Sequence, residues 1–280
     1  MGIQASDVKK LRDKTGAGMM ECKKALQEAG GDYEKAEKIL KELGLAAAAK
    51  RSGRATEEGR IFTRVDDNKA GILEVSCETD FVARNKDFIG LGEQILTKVM
   101  NENLTSVNDE LETMVTDEIS KIKENISIRR FETMSIGESE LVVEYIHGEG
   151  RIGVLVKASV EKPEMKADEK VKAFVFDCAL HIAAFNPKYL SADSVDESYM
   201  KEQEEIFTVQ AKNLGKPENV VQGIVKGKLN KHLTEICFLK QGFVKDDKQS
   251  VEAVMKQASK EVGGKIDIIE YTYYSVGEEL

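Results

Sequence analysis

Residues 70–85 read AGILEVSCETDFVARN, and the change of character inside this stretch organises the chain. Ala70 to Ser76 is apolar and strand-like, so burial is expected, with the end of the strand pinned. Thr79 to Asn85 then turns toward helix chemistry, with the large ring of Phe81 beside the carboxylate of Asp80. On local pattern alone, Phe81 is either a wedge presented to a partner or the first core residue of the next helix. Which of the two it is decides what the protein does.

Upstream, Ile61 to Val65 reads as a strand, and Asp66-Asp67-Asn68-Lys69 as the polar turn of a β-hairpin. Downstream, Phe88, Leu91, Ile95, Leu96 and Val99 recur at helical spacing, and Val107 to Glu124 predicts a second helix. Ile126, Ile128 and Arg130 alternate along a strand. The layout then repeats: strand Leu141 to Ile146, turn His147-Gly148-Glu149-Gly150, strand Ile152 to Val160, helix Glu169 to Ala184. GILEVS pairs by eye with GVLVKA, setting Gly71, Ile72 and Leu73 against Gly153, Val154 and Leu155. This predicts two related hairpin-plus-helix units with antiparallel sheets, an α+β fold. Between about 187 and 237 two charged helices meet at Leu214-Gly215-Lys216-Pro217. Their narrow stripes, with Val195, Tyr199, Ile206 and Val209 on one arm and Val220, Val221, Ile224, Val225 and Leu229 on the other, suit a projecting antiparallel hairpin. A helix, Val251 to Val262, and a strand, Ile266 to Tyr274, close the pattern.

The first 45 residues read as three short helices. Ser6 is the expected N-cap of the first, Gly30-Gly31 ends the second, and Gly44 is expected to end the third. Residues 46–60 are low in bulky side chains and predict a linker, which gives regions at 1–45, 61–140 and 141–280, the last with the inserted hairpin. Met19-Met20, just after Gly-Ala-Gly, lie about 100° apart on a helix, so one is expected to face the core and the other solvent. His147 is a hairpin-turn residue or a contact displayed on that turn.

The 280 residues carry a net charge of −9, which argues against a main role on nucleic acid. The charge is uneven: residues 1–54 hold twelve Lys or Arg against eight Asp or Glu. A small basic module ahead of an acidic body suits docking on an acidic protein surface, and equally a solvated helix face. No apolar run approaches a membrane span, and the start lacks the apolar region of a secretion signal, so a cytoplasmic home is the default expectation. Cys22, Cys77, Cys178 and Cys237 are too far apart for zinc and are expected to be reduced and mostly buried. His147, His181 and His232 are scattered, so no metal or other cofactor is expected. There is no phosphate-cradling glycine loop and no nucleophile elbow. Asp177 and His181 share a helix face and can pair, while the neighbouring Cys178 points elsewhere. This favours a binding protein over an enzyme.

Five segments then fall in order along nearly the whole chain: TGAGMMECKKAL (15–26), GGDYEKA (30–36), LEVSCETDFVARN (73–85), NISIRR (125–130) and HGEGRIGVLV (147–156). Together they resemble the bacterial elongation factor Ts family. The resemblance implies an N-terminal module like a ubiquitin-associated domain, a core of two α+β subdomains, and a coiled-coil hairpin inserted in the second. It implies guanine-nucleotide exchange on elongation factor Tu, with no catalytic chemistry of its own. Carried over residue by residue, Phe81 wedges between two helices of the GTPase and Asp80 disturbs the network around its Mg²⁺. Thr79 and Val82 shape and support the tip. Arg12, Met19 and Met20 grip a helix of the GTPase, and the His147 turn helps to hold it. Some members continue into a further helical module beyond the last strand. This sequence reaches Leu280 soon after its own, and without such a module docking would rely more on Arg12, Met19 and Met20.

Overall fold

The computed structural model describes residues 3–215 and 217–279. Met1-Gly2, Lys216 of the expected interhelical turn and the terminal Leu280 lie outside the described residues. Three helices come first: α1 (Ala5–Thr15), α2 (Met19–Glu28) and α3 (Tyr33–Arg51). They enclose Val8, Leu11, Cys22, Ala25, Leu26, Ala36 and Leu40, apolar positions at helical spacing. Two local expectations fail. Ser6 lies inside α1, and Gln4 is the N-cap, its N–H donating to the Asp7 carboxylate at 3.1 Å. Gly44 does not end α3, which continues to Arg51. A Cβ at Gly44 would sit 2.3 Å from the Ser120 hydroxyl, so this glycine permits a close helix crossing instead. The expected linker therefore begins as helix and ends as strand at Glu58.

The strands are β1 (Glu58–Val65), β2 (Lys69–Cys77), β3 (Ile126–Ser135), β4 (Glu140–His147), β5 (Ile152–Val160), β6 (Gly242–Phe243), β7 (Asp246–Ser250) and β8 (Ile266–Ser275). They form antiparallel sheets in the orders β1-β2-β3 and β4-β5-β8, with β6-β7 a small separate ribbon. The remaining helices are α4 (Asp80–Ala83), α5 (Lys86–Glu102), α6 (Asp109–Ile122), α7 (Glu169–Phe185), α8 (Glu197–Lys212), α9 (Glu218–Ile236) and α10 (Val251–Val262). The fold is thus mixed α and β with small antiparallel sheets. Strand alternation sorts β2: Leu73, Val75 and Cys77 face α5 and α6, whereas Ala70 and Ile72 face the second sheet. There they meet Ile61, Met134, Val142, Leu155 and Tyr274. Helices α7 and α10 cover the outer face of the second sheet.

Each sheet has a bulge at a buried charge. The β2–β3 register shifts after Glu74, and the β5–β8 register after Lys157. The Glu74 carboxylate is fully buried and meets Arg130 at 2.8 Å and Arg129 at 3.6 Å. Lys157 reaches Glu140 at 3.1 Å and Glu270 at 3.7 Å. Aligning the bulges sets Glu74 against Lys157, and hence Gly71 against Val154, one residue away from the pairing made by eye.

Tyr199 lies 2.9 Å from His232, and Lys228 donates to Gln210 at 2.6 Å, so α8 and α9 run antiparallel. Phe207 and Ala211 meet Val221, Ile224 and Val225 across the pair. Ile206 and Val209, expected on the inner stripe, are exposed.

Candidate functional site

The link from β2 to α4 is anchored from below. The Cys77 thiol donates to the Thr79 carbonyl at 3.2 Å. Glu78 accepts from the Asn125 N–H at 2.6 Å and pairs with Arg54 at 3.2 Å. Thr79 donates twice to Glu124, through its N–H at 3.0 Å and its hydroxyl at 2.8 Å. The same hydroxyl accepts from the Val82 N–H at 3.4 Å, and so caps α4. Asn85 then caps α5.

Helix α4 is one turn long, and its residues divide by direction. Val82 and Ala83 enter the core beneath, while Phe81 is 82% exposed. The core reading of Phe81 is therefore excluded. Leaving such a ring in water forgoes about 1.5–3 kcal/mol of burial. Asp80 lies 3.6 Å from Arg84, and Arg84 also lies 3.4 Å from Glu149 of the turn after β4. Arg151 of the same turn pairs with Glu58. Asp80, Arg84, Glu149, Arg151 and Glu58 line a shallow cavity of about 290 Å³, which joins the Phe81 tip to the His147 turn. Glu149 holds φ of 56°, a left-handed geometry uncommon outside glycine. His147 is exposed at the end of β4, its Nδ1 2.9 Å from the Tyr145 hydroxyl.

Arg12, Met19 and Met20 lie on the three-helix bundle. Met19 and Met20 are 47% and 63% exposed, so neither fills the core and the expected inward methionine is a misreading. The inner face of α2 belongs to Cys22, Ala25 and Leu26, one turn further along. Arg12 is exposed on α1. The connection from α6 to β3 bridges these two regions. Lys123 donates to Glu21 of α2 at 3.1 Å, and the next residue, Glu124, holds Thr79. The sequence reading gave no role to Glu124, Arg84 or Glu149, and Glu124 has no local signal because its partner is 45 residues away.

No thiol is set up as a nucleophile. All four cysteines are buried and unpaired. Burial raises the pKa of each, and Cys77, also near Glu124, is pushed up to about 12. Asp177 pairs with Lys245 at 2.6 Å, and His181 lies against Gln241 at 2.9 Å, so these two residues have other partners than each other. Among the described residues no group of three His, Cys, Asp or Glu is placed to hold a metal ion, and no helix is long and apolar enough to cross a membrane.

A family model described as Elongation factor TS matches residues 78–278. The chain is 49% identical over 277 residues to elongation factor Ts of Treponema denticola, covering 99% of each chain. It is 47% identical over 278 residues to that of Borrelia recurrentis, covering 99% of this chain and 100% of the relative. It is 44% identical over 288 residues to that of Treponema pallidum strain Nichols, covering 99% of each. The matched region includes the capped turn that exposes Phe81, and the chain belongs to the elongation factor Ts family.

Proposed function

We propose that this chain binds elongation factor Tu in its GDP form and expels GDP by disturbing the partner's Mg²⁺ site, so that GTP can enter. Membership of the elongation factor Ts family makes the chain a translation elongation factor, a nucleotide exchange factor for elongation factor Tu. The three-helix bundle acts as a ubiquitin-associated-like module, the two sheets with their helices act as related subdomains, and α8 with α9 acts as a coiled-coil hairpin.

The observation that carries the reading is Phe81, a ring exposed on a turn held by Thr79 before it and by Val82 and Ala83 after it. Phe81 inserts between two helices of the GTPase. Asp80, half exposed beside it, competes for the polar network around Mg²⁺. Thr79 and Val82 hold the tip. Arg12, Met19 and Met20 grip the GTPase from the bundle, and His147 holds it from the second sheet.

GDP is retained largely through its phosphates, whose charge the metal neutralises, so loosening the metal weakens the nucleotide. The factor performs no bond chemistry. It binds the distorted, nucleotide-free GTPase more tightly than the GDP-bound form, and by linkage GDP and factor weaken each other equally. Burying Phe81 supplies about 1.5–3 kcal/mol. At about 1.4 kcal/mol per tenfold, that is one to two decades of exchange, so several contacts must act together. Stopped-flow release of a fluorescent GDP from elongation factor Tu is the test. Acceleration that saturates with factor concentration is expected. Binding without acceleration would leave only an adaptor that grips helices.

A further inference from the structure

We propose that Glu124 is a positioning residue for the exchange tip, setting the direction of Phe81 and Asp80 by holding Thr79 from below. The proposal rests on the exchange reading above. A single helical turn cannot hold itself, because nucleation fixes several dihedrals for one hydrogen bond. Phe81 adds no packing, since it is exposed. The turn is fixed by the burial of Val82 and Ala83 on one side and by Thr79 on the other. Thr79 has two donors, and one carboxylate accepts both, at 3.0 and 2.8 Å. Each donor meets its own oxygen of that carboxylate, and two bonds to one group fix direction as well as distance.

Glu124 is itself held. Lys123 ends α6 with φ of 69°, and Asn125 donates from its side chain to the Arg54 carbonyl at 2.8 Å and from its backbone to Glu78 at 2.6 Å. A second path leaves the same loop. Lys123 donates to Glu21, which accepts from the Gly18 N–H at 3.0 Å, just before Met19. The loop therefore stands at the base of two of the three regions assigned to partner contact, the tip and the bundle. The two paths differ in strength. Lys123 and Glu21 are both nearly half exposed, so water and salt weaken that pair, whereas the Glu124–Thr79 bonds are partly buried.

The test uses Glu124→Ala, Glu124→Gln and Lys123→Ala in the full-length protein. For Glu124→Ala the maximal rate of GDP release is expected to fall about tenfold, while the factor concentration giving half the maximum stays within about twofold. A residue needed only for folding would not give that split. The amide of Glu124→Gln still accepts from the Thr79 N–H and donates to its hydroxyl oxygen, so the rate should return to within about threefold of wild type. Lys123→Ala should change the rate by less than about twofold. A wild-type maximal rate in Glu124→Ala overturns the proposal. Amide hydrogen exchange over residues 79–83 of the free protein reads the clamp without the GTPase. About tenfold faster exchange is expected in Glu124→Ala, with α5 unchanged, and unaltered exchange overturns the clamp. If wild type fails to accelerate GDP release, the exchange reading fails while this measurement still decides the clamp. Should Glu124→Ala not fold, Thr79→Val removes the hydroxyl bond to Glu124 together with the hydroxyl's cap on the Val82 N–H, and keeps the backbone bond. It is expected to lose about threefold in maximal rate, and a wild-type rate there overturns the proposal.

Discussion

The two sheets share a frame and part company where their central strands end. In each, a central strand carries a buried charge at a bulge, pairs with two antiparallel neighbours and lies under helices. After β2, the chain passes Thr79 and puts Phe81 into solvent. After β5, it passes a short helical turn, Pro163–Ala167, and buries Met165 in the core. One exit strengthens its own half of the molecule, and the other forgoes that gain to present a ring. The buried charges differ as well. Glu74 is sealed among arginines, whereas Lys157 faces two carboxylates that keep contact with water.

That contrast can be broken at four points. The largest effect is expected at Glu74→Gln, which takes the buried carboxylate from Arg129 and leaves Arg130 with Glu278 alone, and should cost about 3 kcal/mol in urea unfolding. Lys157→Met, by contrast, should cost about 1 kcal/mol, because its stem still packs and its partners are solvated. Equal losses would show that the two bulges are interchangeable. Next comes Met165→Ala, expected to cost about 2–3 kcal/mol of stability by leaving a cavity, with GDP release per folded molecule unchanged. Phe81→Ala should do the reverse. Its unfolding midpoint should stay within about 0.5 kcal/mol of wild type. Its maximal acceleration of GDP release should fall by about tenfold or more. If Phe81→Ala unfolds early, or releases GDP normally, the division of labour between the exits is wrong.

The smallest effect belongs to the second half alone. His181 is buried among Phe185, Phe238 and Phe243, and its Nδ1 accepts from the Val244 N–H at 3.1 Å. Burial lowers its pKa, against a smaller opposing effect from Gln241. The folded state therefore favours the neutral ring. Its contribution is complete above the unfolded value near 6.5 and is lost as pH falls from there through the lower folded value. Wild type should lose stability between pH 7.5 and 5.5, and His181→Gln should flatten that part of the curve. An identical slope in the variant would remove His181 as the cause.

Much of this contrast could be read from the chain. Strand alternation and the polar turns at Asp66–Lys69 and His147–Gly150 marked both hairpins, and the stretch Thr79 to Asn85 marked the passage from strand to helix. The bulges could not be read, because Arg129 and Ile269 differ from their neighbours only in pairing, which depends on a distant strand. Gly44 misled because a glycine that ends a helix and one that lets two helices cross look the same locally. The Met19-Met20 reading failed because geometry separates adjacent side chains without saying which faces inward. Here the bundle is filled by smaller residues further along α2. Phe81 stayed ambiguous for a related reason. Burial is a property of what surrounds a ring, and Val82 and Ala83 occupy the space it would have taken.

Gly153 lies where β5 crosses β1, and a Cβ there would come within 2.3 Å of Ile61. The backbone of β5 thus rests directly on the Ile61 side chain of β1, and the tip after β2 and the turn after β4 keep a set separation. For a two-point grip this acts on effective concentration. Once one point has landed on the GTPase, the other is already at the right distance, and little search remains for the second contact. Avidity of this kind needs no strong individual bond. It depends on the absence of a single methyl group from β5, opposite Ile146 and beside the His147 turn.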